Sequence, residues 1–400
     1  MHMSADASAH PAVSFVISTF NRREVLLRTL GELQQCGLDA TRFEILVVDN
    51  ASHDYTAKAI AEHFPRVRAF KLMRNRGSCA KNIAIGHARG QFIVFLDDDS
   101  YPTPGSMTRM LEHFAIDPDL GAAVFTVTLP DGSRECSAYP DVFIGCGTAF
   151  RREALDEVGL LSEDFFMQAE EYDLSLRLLQ ADWEIRTFDD LHVSHLKTPN
   201  ARRSWRTMRL DVRNNLVVAT RYFPREWMPR FALDWMKRYG CIAAAKRQRT
   251  AFWIGLAQGA VASLRPGSRR PISAHVFERF TRMKQIEQSL REGAGKHALR
   301  SILFIDYGKN IFPYWLAAKK LGLQVVAIAD GRMPSGTRYR GIPVVNDSIA
   351  RRLDFDAAIV SNSSPVHAQN RAQLWRNLDP RPVLELIDYS PATKRTGLAA

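Results

Sequence analysis

The first hundred residues alternate between short, almost wholly apolar runs and longer stretches in which apolar residues recur every third or fourth position. Val13–Phe20, Phe43–Val48, Val67–Leu72 and Phe92–Leu96 read as buried strands, because short apolar runs rich in β-branched and aromatic residues suit a strand covered on both faces. Between them, Leu26, Leu27, Leu30 and Leu33 keep helical spacing, as do Ala57, Ile60 and Phe64 after Asp54. A turn at Asn75–Ser78 leads into a further helix carrying Lys81, Asn82 and Ile85. Strands alternating with helices predict an α/β fold, a parallel sheet with helices on both faces. A helix through Met107, Met110 and Leu111 follows, then strands at Gly121–Leu129, Ala138–Phe150 and Glu184–Phe188, with a helix at Tyr172–Leu179 between the last two.

From about Ser204 to Arg291 the pattern is helical, punctuated by Pro224, Pro229, Pro266 and Pro271. Near Leu299 the alternation restarts with strands at Ser301–Ile305, Gln324–Ala329, Pro343–Val345 and Ala357–Val360, and helices at Phe312–Leu321 and Ile349–Leu353. This is a smaller Rossmann-like α/β unit. Its first turn, Asp306–Asn310, has one glycine where a dinucleotide site needs three, so a docking or structural role is the better expectation. Four hundred residues exceed one ordinary core. The expected division is a catalytic α/β domain over 12–203, a basic helical segment over 204–297 and the Rossmann-like domain over 298–392.

Composition narrows the class. Hydrophobic residues make up 46% and charged residues 24%, as in soluble globular proteins. No apolar run approaches a membrane span; the longest, Phe252–Leu264, contains Gln258 and two glycines. The first ten residues lack the basic region and apolar core of a signal peptide. Five scattered cysteines with no Cys-x-x-Cys pair fit reduced thiols in a cytoplasm. The net charge of +11 is uneven: Leu196–Arg300 holds 23 Lys and Arg against six Asp and Glu, a surplus of 17, leaving the remainder six negative. A segment this basic, with Trp205, Trp227, Trp235 and Trp253, calls for an anionic partner, whether nucleotide phosphates, acidic lipid headgroups or nucleic acid.

The chemistry collects at strand ends. Phe92–Leu96 runs into Asp97-Asp98-Asp99, three consecutive carboxylates whose repulsion a cation such as Mn²⁺ or Mg²⁺ would relieve. Ser18, Thr19, Phe20 and Asn21 end the first strand and Asp49 follows the second, so a parallel sheet puts all of them on one edge. That edge offers an aromatic to stack on a base, an acceptor for its N–H edge and carboxylates for a metal bridging two phosphates. Alone, each piece reads as an acidic turn, a core aromatic or a turn aspartate; together they suit a nucleoside diphosphate. Glu170-Glu171-Tyr172-Asp173 adds acid behind Phe165-Phe166-Met167, apolar residues placed to wall an acceptor site. The same charges also suit the first turn of a helix.

The ordered set Val16–Asn21, Val47–Ser52, Asn75–Asn82, Phe95–Asp99, Ala169–Leu178 and a downstream His195 resembles the family 2 glycosyltransferases of GT-A fold. The likeness extends to Arg213-Asn214-Asn215-Leu216, similar to that family's closing Arg-Asn segment, and covers about residues 13–220. It implies an inverting, metal-dependent transferase using a nucleotide-sugar donor, with UDP- or dTDP-linked sugars expected. Carried over position by position, it assigns Ser18, Phe20, Asn21 and Asp49 to the nucleoside, and Lys81, Asp97 and Asp98 to the donor phosphates, ribose or sugar. It makes Asp99 and His195 the metal ligands, although Leu196–Pro199 replaces the glycine usual after that histidine. Arg202 would close over the phosphates, or belong to a solvated basic loop. The base that accepts the acceptor proton stands at Glu171, with Glu170 as the other candidate and Asp173 orienting the helix.

Family acceptors are often lipid-linked glycans made at the cytoplasmic face. The expected partners are therefore a glycan or lipid-linked glycan acceptor and an anionic membrane surface touched peripherally by the basic helices. A solvated helical surface is the competing reading. No nucleic acid is expected, since no recognisable nucleic-acid module is present. A nucleotidyltransferase is the first rival, disfavoured by the absence of glycine in Ser18–Arg23. A non-catalytic nucleotide- or membrane-binding protein is the second.

Overall fold

A computed structural model describes residues 10–197 and 204–389. Its contacts divide the chain into two compact units. The first takes residues up to Ser137, then Asp141–Ala243 and Arg247–Phe277; the second takes Ala138–Pro140, Ala244–Lys246 and the chain from Glu278 onward.

The first unit opens with β1 (Val13–Thr19), α1 (Arg23–Leu33), β2 (Phe43–Asp49), α2 (Thr56–His63), β3 (Arg68–Lys71), α3 (Lys81–His87) and β4 (Phe92–Asp97). It continues through β5 (Ser100–Pro102), α4 (Ser106–Ile116), β6 (Leu120–Thr128), β7 (Arg134–Glu135), β8 (Thr148–Arg151), α5 (Arg152–Val158), α6 (Glu170–Gln180) and β9 (Glu184–His195). Helices α7 (Ser204–Tyr222), α8 (Met228–Ala245), α9 (Arg249–Ser263) and α10 (Ala274–Thr281) follow, the last residues of α8 and α10 counting with the second unit. The sheet order is β3-β2-β1-β4-β8-β6-β9-β5, with β7 on β6. The expected parallel alternation holds for β3, β2, β1 and β4, whereas β8 enters antiparallel to both β4 and β6. The sheet is therefore mixed. Its apolar side chains meet those of α1 and α4 in one core that includes Phe15, Ile17, Leu30, Val47, Leu96 and Met110.

Two local expectations differ. The run Ala138–Phe150 forms a strand only from Thr148. Pro140, Gly145 and Gly147 interrupt it, and its apolar residues Val142 and Phe143 are buried without a ladder, the Phe143 N–H donating to Ser175 Oγ. The strand at Glu184 continues to His195 instead of ending at Phe188, because the later residues pair in turn with β6 and β5.

The second unit contains α11 (Met283–His297), β10 (Ser301–Ile305), α12 (Ile311–Lys320), β11 (Gln324–Ala329), β12 (Arg338–Tyr339), β13 (Ile342–Val345), α13 (Asp347–Ala350), β14 (Ala357–Val360), α14 (Pro365–Leu378) and β15 (Val383–Leu384). Its sheet, β12-β13-β11-β10-β14-β15, is parallel except where β12 meets β13. It has a core of its own around Leu303, Ile305, Phe355 and Trp375. The sequence pattern had not exposed α14 because its buried positions are mostly alanine, Ala368 and Ala372, with Trp375 the single large anchor.

Candidate active site

Register alone assembles the edge expected from sequence. Thr19 pairs with Asp49 and Ser18 with Asp97, so the carboxyl ends of β1, β2 and β4 finish side by side. The Leu196 N–H donates to the Asp99 carbonyl at 2.9 Å, which brings the end of β9 and His195 to the same place. Backbone strain gathers here: Asn21, Ala51 and Tyr55 have positive φ, as do Gln168 and Ala169 immediately before α6. Non-glycine residues adopt this region rarely, and such outliers cluster at functional sites.

Above the edge lies a cleft of about 1540 Å³. Ser18, Phe20, Asn21 and Lys81 line it, Asp97 and Asp98 form its floor at the sheet edge, and Glu170 and Glu171 line it too, the Glu170 carboxyl lying close to Ser78 and Lys81. Phe20 is 42% exposed, as a stacking platform must be. Lys81 is buried, with its Nζ 3.4 Å from Asp97 Oδ1 and donating to the Gly145 carbonyl at 3.2 Å. Asp49, Asp99 and Asp173 are placed differently: all three are buried behind the lining. Asp49 Oδ1 accepts from the Ser52 N–H at 2.8 Å, leaving its buried Oδ2 without a partner. Arg202 lies outside the described residues.

The acidic floor is held by a residue that sequence reasoning missed. Arg22 forks between the second and third aspartates, Nη1 bonding Asp98 and Nη2 meeting Asp99 Oδ2 at 2.7 Å. Thr19 Oγ1 donates to the other Asp98 oxygen at 2.7 Å. Burial, with Asp97 and Asp99 alongside, still pushes the Asp98 carboxyl up to about 7 against the pull of Arg22 and Thr19. His195 sits between acids, its Nε2 3.3 Å from Asp99 Oδ1 and its Nδ1 2.8 Å from Glu135 Oε2. Burial would lower its pKa, but hydrogen bonding to Asp99, Cys146 and Glu135 pushes it up to about 12. The site therefore favours positive charge. Asp97, Cys146 and His195 each bring a ligand atom within 4.8 Å of the others, a donor set that fits a divalent cation. Glu135 and Cys146 sit in a short strand and an irregular loop with no periodic signal; Arg22 was legible only as the neighbour of Asn21.

The two glutamates are presented by a pinned turn. Asn214 Nδ2 donates to the carbonyls of Met167 and Gln168 at 2.8 and 2.7 Å, and Arg213 Nη1 to that of Asp164 at 2.7 Å. The Ser78 N–H donates to the Phe166 carbonyl at 2.9 Å, close against Gly77. Asp173 anchors α6 to α7: one oxygen accepts from Arg221 and Tyr222 OH, the other from Arg177. Asp173 thus holds the helix and does not face the cleft. Glu170 is 7% exposed, and burial together with the Glu171 charge drives its pKa well above the carboxylate range.

Residues 14–154 match the family model for Glycosyl transferase family 2. The matched segment runs from β1 into α5 and contains the parallel strands β1 to β4 and the carboxylates that end them. Among curated proteins it is 39% identical over 105 residues to the succinoglycan biosynthesis protein ExoO of Rhizobium meliloti, covering 26% of this chain and 29% of that one. It is 27% identical over 200 residues to poly-beta-1,6-N-acetyl-D-glucosamine synthase of Staphylococcus epidermidis, covering 44% of this chain and 47% of the synthase. The chain thus spans less than half the length of these relatives. Among solved structures, the mannosyltransferase PcManGT of Pyrobaculum calidifontis in complex with GDP-Man and Mn²⁺ overlaps 80% of this chain and 89% of its own, at 20% identity and a TM-score of 0.46. Among the described residues, no helix is long and apolar enough to cross a membrane.

Proposed function

We propose that this protein is an inverting glycosyltransferase that moves a sugar from a nucleoside-diphosphate donor to a hydroxyl of a glycan or lipid-linked glycan. The observation that carries the reading is one cleft lined at once by an exposed aromatic, a cation-favouring acidic floor and two glutamates. In it, Phe20 stacks on the base, while Ser18, Asn21 and, from beneath, Asp49 position the nucleoside. Asp97, Asp99 and His195 would hold a Mn²⁺ or Mg²⁺ ion with Cys146 beside them, and the ion would offset charge on the leaving diphosphate. Arg22 keeps Asp98 and Asp99 fixed, and Lys81 adds positive charge next to Asp97. Arg202 is assigned to the donor phosphates.

Inversion requires an in-line displacement at the anomeric carbon. Glu171 takes the proton from the attacking hydroxyl as the bond to the diphosphate oxygen breaks. The fold's contribution is to hold donor and acceptor in line. A cytoplasmic site at the inner membrane face agrees with the basic helices.

Turnover across a panel of UDP-, dTDP- and GDP-sugars, with Mn²⁺ and with EDTA, tests this. One donor should turn over, activity should vanish with EDTA, and Glu171→Gln should lower kcat by roughly 10²–10⁴-fold. Equal turnover by Glu171→Gln and wild type, or failure of every donor to bind, would overturn the assignment.

A further inference from the structure

Helix α9 has two faces of opposite character. On one, Gly255 and Gly259 lie so close to α7 that a Cβ on Gly255 would stand 2.4 Å from the Arg209 carbonyl oxygen, and one on Gly259 3.0 Å from that of Arg213. Glycines four apart bring the two helices together there. On the other face Trp253 and Val261 are each 65% exposed and Ile254 42%, with Leu264 at 83% just beyond the helix. Positions 250–264 contain no charged side chain, and the exposed polar residues there, Thr250 and Gln258, are hydrogen-bonded to Trp205 and Arg209. A contiguous exposed apolar face marks an interaction site. Exposed arginines border it at both ends, Arg247 and Arg249 before it and Arg265 after it.

We propose that this face docks on an anionic lipid surface, with Trp253, Ile254, Val261 and Leu264 in the headgroup–acyl boundary and the flanking arginines on lipid phosphates. An aromatic and aliphatic face with a basic margin is what such a surface selects. A second copy of the chain fits less well, because two-fold pairing along α9 would set Arg249 of one copy near Arg265 of the other.

The same face borders a groove of about 570 Å³ whose walls include Arg206, Arg209, Arg213 and Arg265 with Val261, and also Glu163 and Asp164, the latter 3.7 Å from Arg265. The groove shares Phe166, Arg206, Arg209 and Leu210 with the cleft. A phosphate-bearing lipid lying along α9 would therefore reach the acceptor side of the cleft through a groove whose four arginines outnumber its two carboxylates. This extension rests on the transferase reading; the docking does not.

Co-sedimentation of the full chain with phosphatidylglycerol–phosphatidylcholine vesicles, and with phosphatidylcholine alone, decides it. Binding is expected only to the anionic vesicles. Trp253→Gln/Leu264→Gln and Arg249→Gln/Arg265→Gln should each weaken it roughly tenfold or more, with unchanged circular dichroism and melting temperature. Wild type that ignores anionic vesicles, or binds neutral ones equally, would overturn the proposal. So would variants that bind like wild type, or a dimer in sedimentation velocity that the Trp253→Gln/Leu264→Gln pair dissolves. Vesicle binding by a chain inactive on every nucleotide sugar would leave the docking standing and remove only the lipid-borne acceptor.

Discussion

Glu170 and Glu171 are neighbours in one helical turn with opposite circumstances. Glu170 is buried, its Oε2 has no partner, and its charge is disfavoured by burial and by Glu171. A carboxyl whose folded pKa lies above its ordinary value of 4.5 costs nothing below that pH, and destabilises increasingly as the pH rises through the folded value. Glu170→Gln should therefore match wild type in melting temperature below about pH 4.5 and exceed it at neutral pH and above, measured by calorimetry across pH. If Glu170 only supports Glu171, the same variant keeps kcat within roughly tenfold of wild type while Glu171→Gln loses far more. The reverse order would make Glu170 the base. A melting-temperature gap that does not change with pH would show that Glu170 carries no buried charge at all.

At the scale of elements, the site is two loops held against each other. Gly77 has φ of +64°, and a Cβ there would stand 1.8 Å from the Phe166 carbonyl oxygen, a backbone atom that cannot swing aside. Gly77→Ala should cost about 3 kcal/mol or more in denaturant unfolding, by combined steric and left-handed strain, and should lower turnover by displacing the turn before α6. A variant as stable as wild type would mean that this turn is not fixed from Gly77. The strands that carry the acidic floor were legible because they are buried on both faces and hence mostly apolar, as in Val13–Thr19 and Phe92–Asp97. The carboxylates stood out because three of them in a row end an apolar run abruptly. Ala138–Gly147 misled for the converse reason: its apolar residues are buried by wrapping over the site without entering a ladder, so burial and strand came apart. Arg22 and Glu135 act through contacts across 60 residues or more, and Cys146 meets Asp97 and His195 from 49 positions away on either side, which no local pattern encodes. Asn214 was found by resemblance; its work of pinning the strained Met167–Ala169 turn became visible only in three dimensions.

At the scale of the molecule, two sheets have two separate cores, one around Phe15, Val47 and Leu96 and the other around Leu303, Ile305 and Trp375. Each core supplies its own apolar driving force, so each unit should melt as its own cooperative transition. The proposed nucleotide site belongs to the first unit, since the residues lining the cleft lie there. A nucleoside diphosphate with Mn²⁺ at 100 times its Kd adds about 2.7 kcal/mol to the state that binds it, and should raise one transition only. Trp375, fully buried in the second core, leaves a large cavity when truncated, and Trp375→Ala should lower the other transition by an amount equivalent to about 3–5 kcal/mol. Scanning calorimetry of the full chain, with and without nucleotide, reads both effects in one experiment. If a single transition moves under either perturbation, the two cores unfold together, and the second unit is then part of what stabilises the cleft.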